Sequence, residues 1–154
     1  GRRDVMKLGP LMIAALAGAS MAVQGTLNSI LGKKAGSFEA SFIVHVIGAV
    51  LLGVILLLGY GQGSLKQSLE APWYSFLGGP LSIVIIWGVL VSVAGAGVSA
   101  ANTAIVAAQI AVALALDVCG VSGQKFAFNW WKVVGALLFI AGAYLLLRKP
   151  HSPS

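Results

Sequence analysis

The longest uncharged stretch of this chain is the feature that most limits its fold. Residues 71–116 contain no aspartate, glutamate, lysine or arginine, and most of them are apolar. A helix needs about 20 apolar residues to cross the roughly 30 Å hydrocarbon core of a bilayer. The stretch is too long for one crossing, so it predicts two membrane-spanning helices joined by a tight turn.

Similar apolar segments fill almost all of the 154-residue chain. We predict five transmembrane helices, at about residues 8–31, 40–58, 73–93, 99–118 and 132–148. They form one domain over residues 6–149, followed by a tail, residues 150–154, that we expect to be disordered. Met6 is a candidate natural start, which would make residues 1–5 a foreign addition. The predicted class is an all-α integral membrane protein.

The composition excludes other classes. Charged residues make up only 9% of the chain, whereas soluble domains carry about 25%. The net charge of +6 comes from lysines and arginines that flank the apolar segments, as charges beside membrane helices do. No basic face or nucleic-acid motif accompanies them, so we expect no nucleic-acid partner. The single cysteine, Cys119, excludes an internal disulfide.

Five crossings place the two ends of the chain on opposite sides of the membrane. One side then receives Lys7, Lys66, Lys125 and Lys132, and the other receives Lys33, Lys34, Arg148 and Lys149. Arg2 and Arg3 join the first group if residues 1–5 are native. Since lysine and arginine normally concentrate on the cytoplasmic side, this near-balance gives no firm orientation. Either the first helix sets one topology, or the chain inserts both ways and pairs with an inverted copy.

Polar residues inside the apolar segments are the candidates for function, because a polar group in hydrocarbon is costly without a partner. Gln24 and Asn28 lie four residues apart and share one face of the first helix. Gly18, Gly25 and Gly32 repeat every seven residues on a neighbouring stripe, where small residues let helices approach closely. The two amides either line a substrate pathway or tie helices together.

The second segment contains two ionisable residues. Glu39 lies near its start, where the helix macrodipole favours a negative charge, so a structural role is as well supported as a binding role. His45 lies deeper, three residues before the small residue Gly48, which is a candidate for helix packing. Histidine exchanges protons near neutral pH. Glu39 and His45 are therefore candidates for proton coupling, with a packed polar histidine as the alternative for His45.

The fourth segment carries Asn102 and Gln109 on one face and Asp117 near its end. A carboxylate there meets the negative end of the helix macrodipole, so it needs a partner such as Lys125, water or a cation. Asp117 is thus a third coupling candidate, with an exposed interfacial carboxylate as the alternative. Trp87 falls near mid-depth in the third segment, either as packing or as an aromatic wall for an organic substrate.

No pattern typical of an enzyme is present. The sequence has no phosphate-binding glycine loop, no HExxH motif and no nucleophile with an assembled base. Two histidines and four acidic residues do not supply a clustered catalytic site. We therefore expect no enzymatic activity, no cofactor and no metal.

The order and spacing of several short motifs resemble those of a known family. They are residues 14–18, 23–28 and 31–32 in the first helix, 38–53 in the second, Gly78-Gly79-Pro80 in the third, Gln109 and residues 116–120 in the fourth, and Gly135 and Gly142 in the fifth. In this order they resemble the YdcZ-type (DUF606) family, short five-helix members of the drug/metabolite transporter superfamily. The resemblance covers residues 8–147.

The resemblance implies a ten-helix assembly, because larger superfamily members fuse two inverted five-helix halves. This chain would be one half, paired with an inverted copy of itself or with a homologous five-helix subunit. The resemblance also implies that the first four helices of each half line the substrate cavity, in a bacterial cytoplasmic (inner) membrane. Small multidrug exporters carry a glutamate in the first helix, where this chain offers only Gln24 and Asn28.

The sequence thus predicts a secondary active transporter of a small polar or cationic metabolite, working in the lipid bilayer as an antiparallel homodimer. Its midplane cavity would be lined by Gln24, Asn28, Gln109, Asn102 and Trp87. The alternative is a non-transporting assembly or regulatory subunit whose amides only tie helices together. A narrow ion channel is disfavoured, because no ring-forming run of acidic residues or carbonyl filter motif is present.

Overall fold

Helices account for most of the chain. The computed structural model describes the backbone of residues 2–119 and 130–148, with side chains from residue 8 onward. Its helices are α1 (Arg2–Ala35), α2 (Ser37–Leu57), α3 (Leu65–Ser68), α4 (Gly78–Ala96), α5 (Val98–Cys119) and α6 (Trp130–Leu147), with a 3-10 turn at Trp73–Leu77. No strand occurs in these residues. Lys125, Lys149 and the tail 150–154 lie outside the described residues, as do the side chains of Arg2, Arg3 and Lys7.

Five of the helical segments are long and apolar enough to cross a membrane. They are Leu8–Ala35, Ser37–Leu57, Trp73–Ala96, Val98–Cys119 and Trp130–Leu147. The predicted all-α class with five membrane-spanning helices is therefore confirmed, and the protein is a multi-pass membrane protein. The inverted ten-helix assembly and the antiparallel dimer stay predictions.

The helix ends differ from the predicted ones because different glycines break the chain. α1 runs through Gly32 to Ala35 instead of ending at residue 31, and Gly36, with φ of 99°, makes the break. α2 accordingly begins at Ser37 rather than at residue 40. α4 likewise continues past residue 93 until Gly97, whose φ is 85°. Positive φ values are strained for residues with a Cβ, so these two glycines suit the tight turns.

The chain divides into two compact units, Gly1–Gly95 and Ala96–Ser154. In the first unit, α1 packs along α2. Side chains of α4 contact the glycines of α1 and bond to His45 of α2. In the second unit, α5 packs against α6. Most side chains on the spanning helices are exposed within the single chain, as expected when lipid or a second subunit covers them.

Two glycines on α1 allow close contact with α4. A Cβ added to Gly25 would lie 2.7 Å from Cγ1 of Val89, and one added to Gly32 would lie 2.8 Å from Cδ2 of Leu90. Such distances are shorter than side chains tolerate, so the absence of a Cβ is what permits this approach. Nothing lies within 4 Å of a Cβ added to Gly18 or Gly48. Their predicted packing roles stay predictions.

Gly25→Ala should destabilise the protein, whereas Gly18→Ala on the same helix should not. The new methyl group at position 25 meets Val89, whose β-branched side chain has one strongly preferred rotamer in a helix. Overpacking of this kind costs about 1–3 kcal/mol. Unfolding of the purified variants in mixed detergent micelles measures the difference. Equal stability of the two variants would contradict the α1–α4 contact.

Candidate functional site

One face of α1 carries a line of polar side chains inside an apolar helix. Ser20, Gln24 and Asn28 line a surface depression of about 460 Å³, together with the apolar residues Leu16, Ala19, Val23 and Leu27. The Ser20 hydroxyl is satisfied within the helix, where it donates to the Leu16 carbonyl at 2.9 Å. Gln24 is exposed, and Asn28 is 6% exposed. The exposed Gln24 amide can therefore offer hydrogen bonds to a molecule or helix that covers this face, whereas Asn28 is largely buried.

A histidine joins α2 to α4. His45 Nδ1 lies 2.7 Å from the Ser41 carbonyl oxygen of its own helix, and Nε2 lies 2.9 Å from the Ser82 hydroxyl of α4. A carbonyl oxygen only accepts hydrogen bonds, so Nδ1 carries a proton. The imidazole ring is thus fixed at both nitrogens and holds the two helices together.

The Ser82 hydroxyl gives this link two arrangements of hydrogen bonds. Besides contacting His45, it lies 2.7 Å from the Gly79 carbonyl, to which it can donate. When His45 is neutral, its Nε2 accepts a hydrogen bond from the Ser82 hydroxyl. The hydroxyl then cannot donate to the Gly79 carbonyl at the same time. A doubly protonated His45 donates from Nε2, which leaves Ser82 free to donate to Gly79. His45 therefore stays bonded to both helices whether or not it holds a second proton.

A cavity of about 490 Å³ lies beside this link, between α2 and α4. It is lined by Phe38, Ser41, Phe42, His45, Gly79, Pro80, Ser82 and Ile83, and we call it the α2–α4 cavity. Phe38 stacks on Trp87, with ring centroids 5.7 Å apart and an interplanar angle of 13°. The tryptophan thus packs against an aromatic residue of the cavity wall.

Glu39 lies at the exposed start of α2, apart from the α2–α4 cavity lining. Its carboxylate folds back over Gly36, so that it occupies the space where a Cβ of that residue would be. The first turn of a helix stabilises a negative charge through the macrodipole. This geometry fits a structural role for Glu39 at the start of the helix, and its role in coupling stays a prediction.

In the second unit, the polar residues of α5 mostly have partners. Asn102 Nδ2 donates to the Val98 carbonyl at 2.8 Å, and Gln109 is exposed. Asp117 Oδ2 lies 3.4 Å from Lys132 Nζ of α6, with exposed side-chain fractions of 39% and 44%. The expected cationic partner is thus present as Lys132, and Lys125 lies outside the described residues. An ion pair as exposed as this one adds at most about 1 kcal/mol to the stability of the protein.

The structure groups the predicted residues unevenly. Gln24 and Asn28 share one depression, and His45 and Trp87 belong to the surroundings of the α2–α4 cavity. Sequence reasoning missed the part played by Ser82, because the pairing depends on how α2 and α4 pack. The described residues contain no group of three histidine, cysteine, aspartate or glutamate side chains that could hold a metal ion.

Comparison with known proteins identifies one family. The sequence model of the family described as "Putative inner membrane exporter, YdcZ" matches residues 9–145. Neither a protein of curated function nor a solved structure matches the chain.

Replacing both His45 and Ser82 by alanine should cost less stability than the sum of the two single changes. Each single change removes the same cross-helix hydrogen bond, so the double-mutant cycle isolates it. Such bonds in membrane proteins are worth about 0.6 kcal/mol on average, with a maximum of about 1.7 kcal/mol. Unfolding in mixed micelles measures the coupling. Pairing His45→Ala with Ser20→Ala gives the control, which should be additive. Additivity of both cycles would refute the link.

Proposed function

Because the chain belongs to the YdcZ family of inner membrane exporters, we propose that it is a secondary active transporter of a small polar or cationic metabolite. Exporters are not a class of enzyme, and the five apolar helices suit a transport protein. The family description implies the cytoplasmic membrane of a bacterium as its location. Substrate class, coupling and assembly are the parts of this proposal that go beyond the family.

The observation that carries the proposal is the polar face of α1. A helix that only anchors a protein in lipid has no use for two amides on one face, because each polar group needs a partner in hydrocarbon. Gln24 and Asn28 line an open depression. A substrate pathway supplies both water and polar ligands to such groups, so the depression fits one wall of a transport cavity.

The second wall would come from an inverted copy of the chain, or from a homologous five-helix subunit. Five crossings with nearly balanced flanking charge favour insertion in both orientations. Transporters built from inverted repeats hold their substrate near the bilayer midplane, where the repeats meet. In this arrangement Gln24, Asn28 and Gln109 supply hydrogen bonds to the substrate. Asn102 and Trp87 are the remaining candidates for residues of the pathway.

His45 is the best supported of the three coupling candidates. It lies inside a spanning helix, and its contacts with Ser41 and Ser82 accommodate a second proton without breaking the link between α2 and α4. Asp117 already has a cationic partner in Lys132. Glu39 is exposed at the start of α2. A second proton on His45 would reverse the direction of its hydrogen bond with Ser82 and leave the contact between α2 and α4 in place, so the residue could take up and release a proton inside the bundle.

A non-transporting assembly or regulatory subunit is the second candidate function. The same polar face supports it, since amides on α1 can tie this chain to a partner by hydrogen bonds between helices. In that case the loss of an amide weakens assembly and leaves no transport to lose. The two functions therefore predict different results for the same substitution.

Asn28→Leu should abolish transport and leave the dimer intact. Purified protein in liposomes is screened on a solid-supported membrane with a panel of small polar and cationic metabolites, and a saturable current identifies a substrate. The leucine removes the amide that lines the α1 depression while keeping a similar size. Thr26→Val is the matched control, because the Thr26 hydroxyl donates to the Ala22 carbonyl of its own helix. Loss of the dimer, with no current from wild type for any compound, would favour the subunit function.

His45→Gln should abolish accumulation driven by a pH gradient, because the amide cannot take up a proton. Exchange of labelled for unlabelled substrate should persist, since it needs no net proton movement. Asp117→Asn should keep gradient-driven accumulation, because it removes only the partner of Lys132. Both variants are compared in liposomes with an imposed pH gradient. Gradient-driven accumulation by His45→Gln at the wild-type rate would exclude this residue from coupling.

A further inference from the structure

We propose that the α2–α4 cavity binds a small, uncharged, planar aromatic molecule with one hydrogen-bonding group, and that Ser41 Oγ is its anchor. The inference goes beyond the proposed transport function, because it adds a site for a ligand of a different chemical class. It concerns a different surface from the polar face of α1.

Ser41 has a buried hydroxyl without a partner. The residue is 2% exposed, it lines the cavity, and its Oγ makes no hydrogen bond within the described part of the chain. Four other hydroxyls on the spanning helices, those of Ser20, Thr26, Ser82 and Thr103, bond to carbonyls of their own helix. An unpaired buried hydroxyl is unfavourable. A bound molecule would satisfy it.

The remaining polar groups of the cavity are already engaged. Both ring nitrogens of His45 have partners, and the Ser82 hydroxyl lies between His45 and the Gly79 carbonyl. Ser41 Oγ is thus the side-chain group of the described lining that is free to bond a ligand. A ligand with one hydroxyl, carbonyl or amino group can form its single hydrogen bond with this hydroxyl. A strongly polar molecule would have further polar groups without partners in the cavity, which is unfavourable.

The walls of the cavity favour a flat apolar body. Phe38 and Phe42 lie on the α2 side, and Pro80 and Ile83 lie on the α4 side. Phe38 stacks on Trp87, so the two rings form one aromatic surface beside the cavity. A volume of about 490 Å³ falls within the range of roughly 300–1,000 Å³ typical of small-molecule sites.

The charge of the lining favours a neutral ligand. None of the described lining residues is an aspartate, glutamate, lysine or arginine. A charged group inside a membrane-spanning segment is costly unless a counter-charge accompanies it. Because the lining has no acidic residue, the positive charge of a doubly protonated His45 would repel a cationic ligand. An uncharged aromatic molecule is therefore the class that meets all three features.

Binding is tested with 4-fluorobenzyl alcohol and 4-fluorotoluene, which differ by one hydroxyl group. Titration of purified protein in detergent, followed by fluorine NMR, should give saturable binding of the alcohol, about fivefold tighter than that of the toluene, as one hydrogen bond provides. Ser41→Ala should remove this preference. Ser20→Ala, whose hydroxyl already bonds within α1, should keep it.

Two further measurements separate binding from folding. Ser41→Ala should unfold at the same or a higher temperature than wild type, because the lost hydroxyl has no partner. Phe42→Ala, at an exposed position, should weaken both probes while keeping the preference for the alcohol. Equal affinity of wild type for the two probes, as an acyl chain site would show, overturns the proposal. So does a preference that survives in Ser41→Ala, or a marked loss of stability in that variant.

This binding experiment is independent of transport. Saturable, Ser41-dependent binding without any flux in liposomes would refute the transporter function and keep the cavity as a ligand site. Flux of polar or cationic compounds without Ser41-dependent binding would refute the cavity as a site and keep the transporter.

Discussion

Every polar group inside the apolar helices must find a hydrogen-bond partner, because hydrocarbon offers none. The hydroxyl groups of Ser20, Thr26 and Thr103 meet this requirement within their own helix. His45 meets it by joining α2 to Ser82 of α4, and Asp117 meets it through Lys132. Gln24, Asn28 and the Ser41 hydroxyl are not accounted for in this way. We propose that those groups mark surfaces that a substrate or a second subunit covers.

The number of membrane-spanning helices was predictable from sequence, whereas their ends were not. Apolar runs of bilayer length depend on composition alone, and the five predicted segments correspond to five apolar helices. The end of α1 depended on which glycine breaks the chain. Gly32 packs under Leu90 within the helix, and Gly36 takes the positive φ of the turn. Sequence spacing cannot distinguish a glycine that permits packing from one that permits a turn.

Residues of one helix were easier to group than residues of two. The four-residue spacing of Gln24 and Asn28 places them on one face, and both line one depression. The link between His45 and Ser82 and the stack of Phe38 on Trp87 require the packing of α2 against α4. Hydrophobic periodicity says little about that packing, since these helices are apolar on all sides. A buried, unpaired hydroxyl can only be recognised once its surroundings are known.

We propose that this five-helix chain functions as one half of an inverted pair. A single cysteine at Gly63, a loop position with open space around it, reports the orientation of each copy when it is introduced in a Cys119→Ser background. A membrane-impermeant maleimide applied to sealed vesicles should label about half of the copies, with the rest labelled only after permeabilisation, because balanced flanking charge gives no preferred orientation. Labelling of all copies, or of none, before permeabilisation would contradict the inverted homodimer.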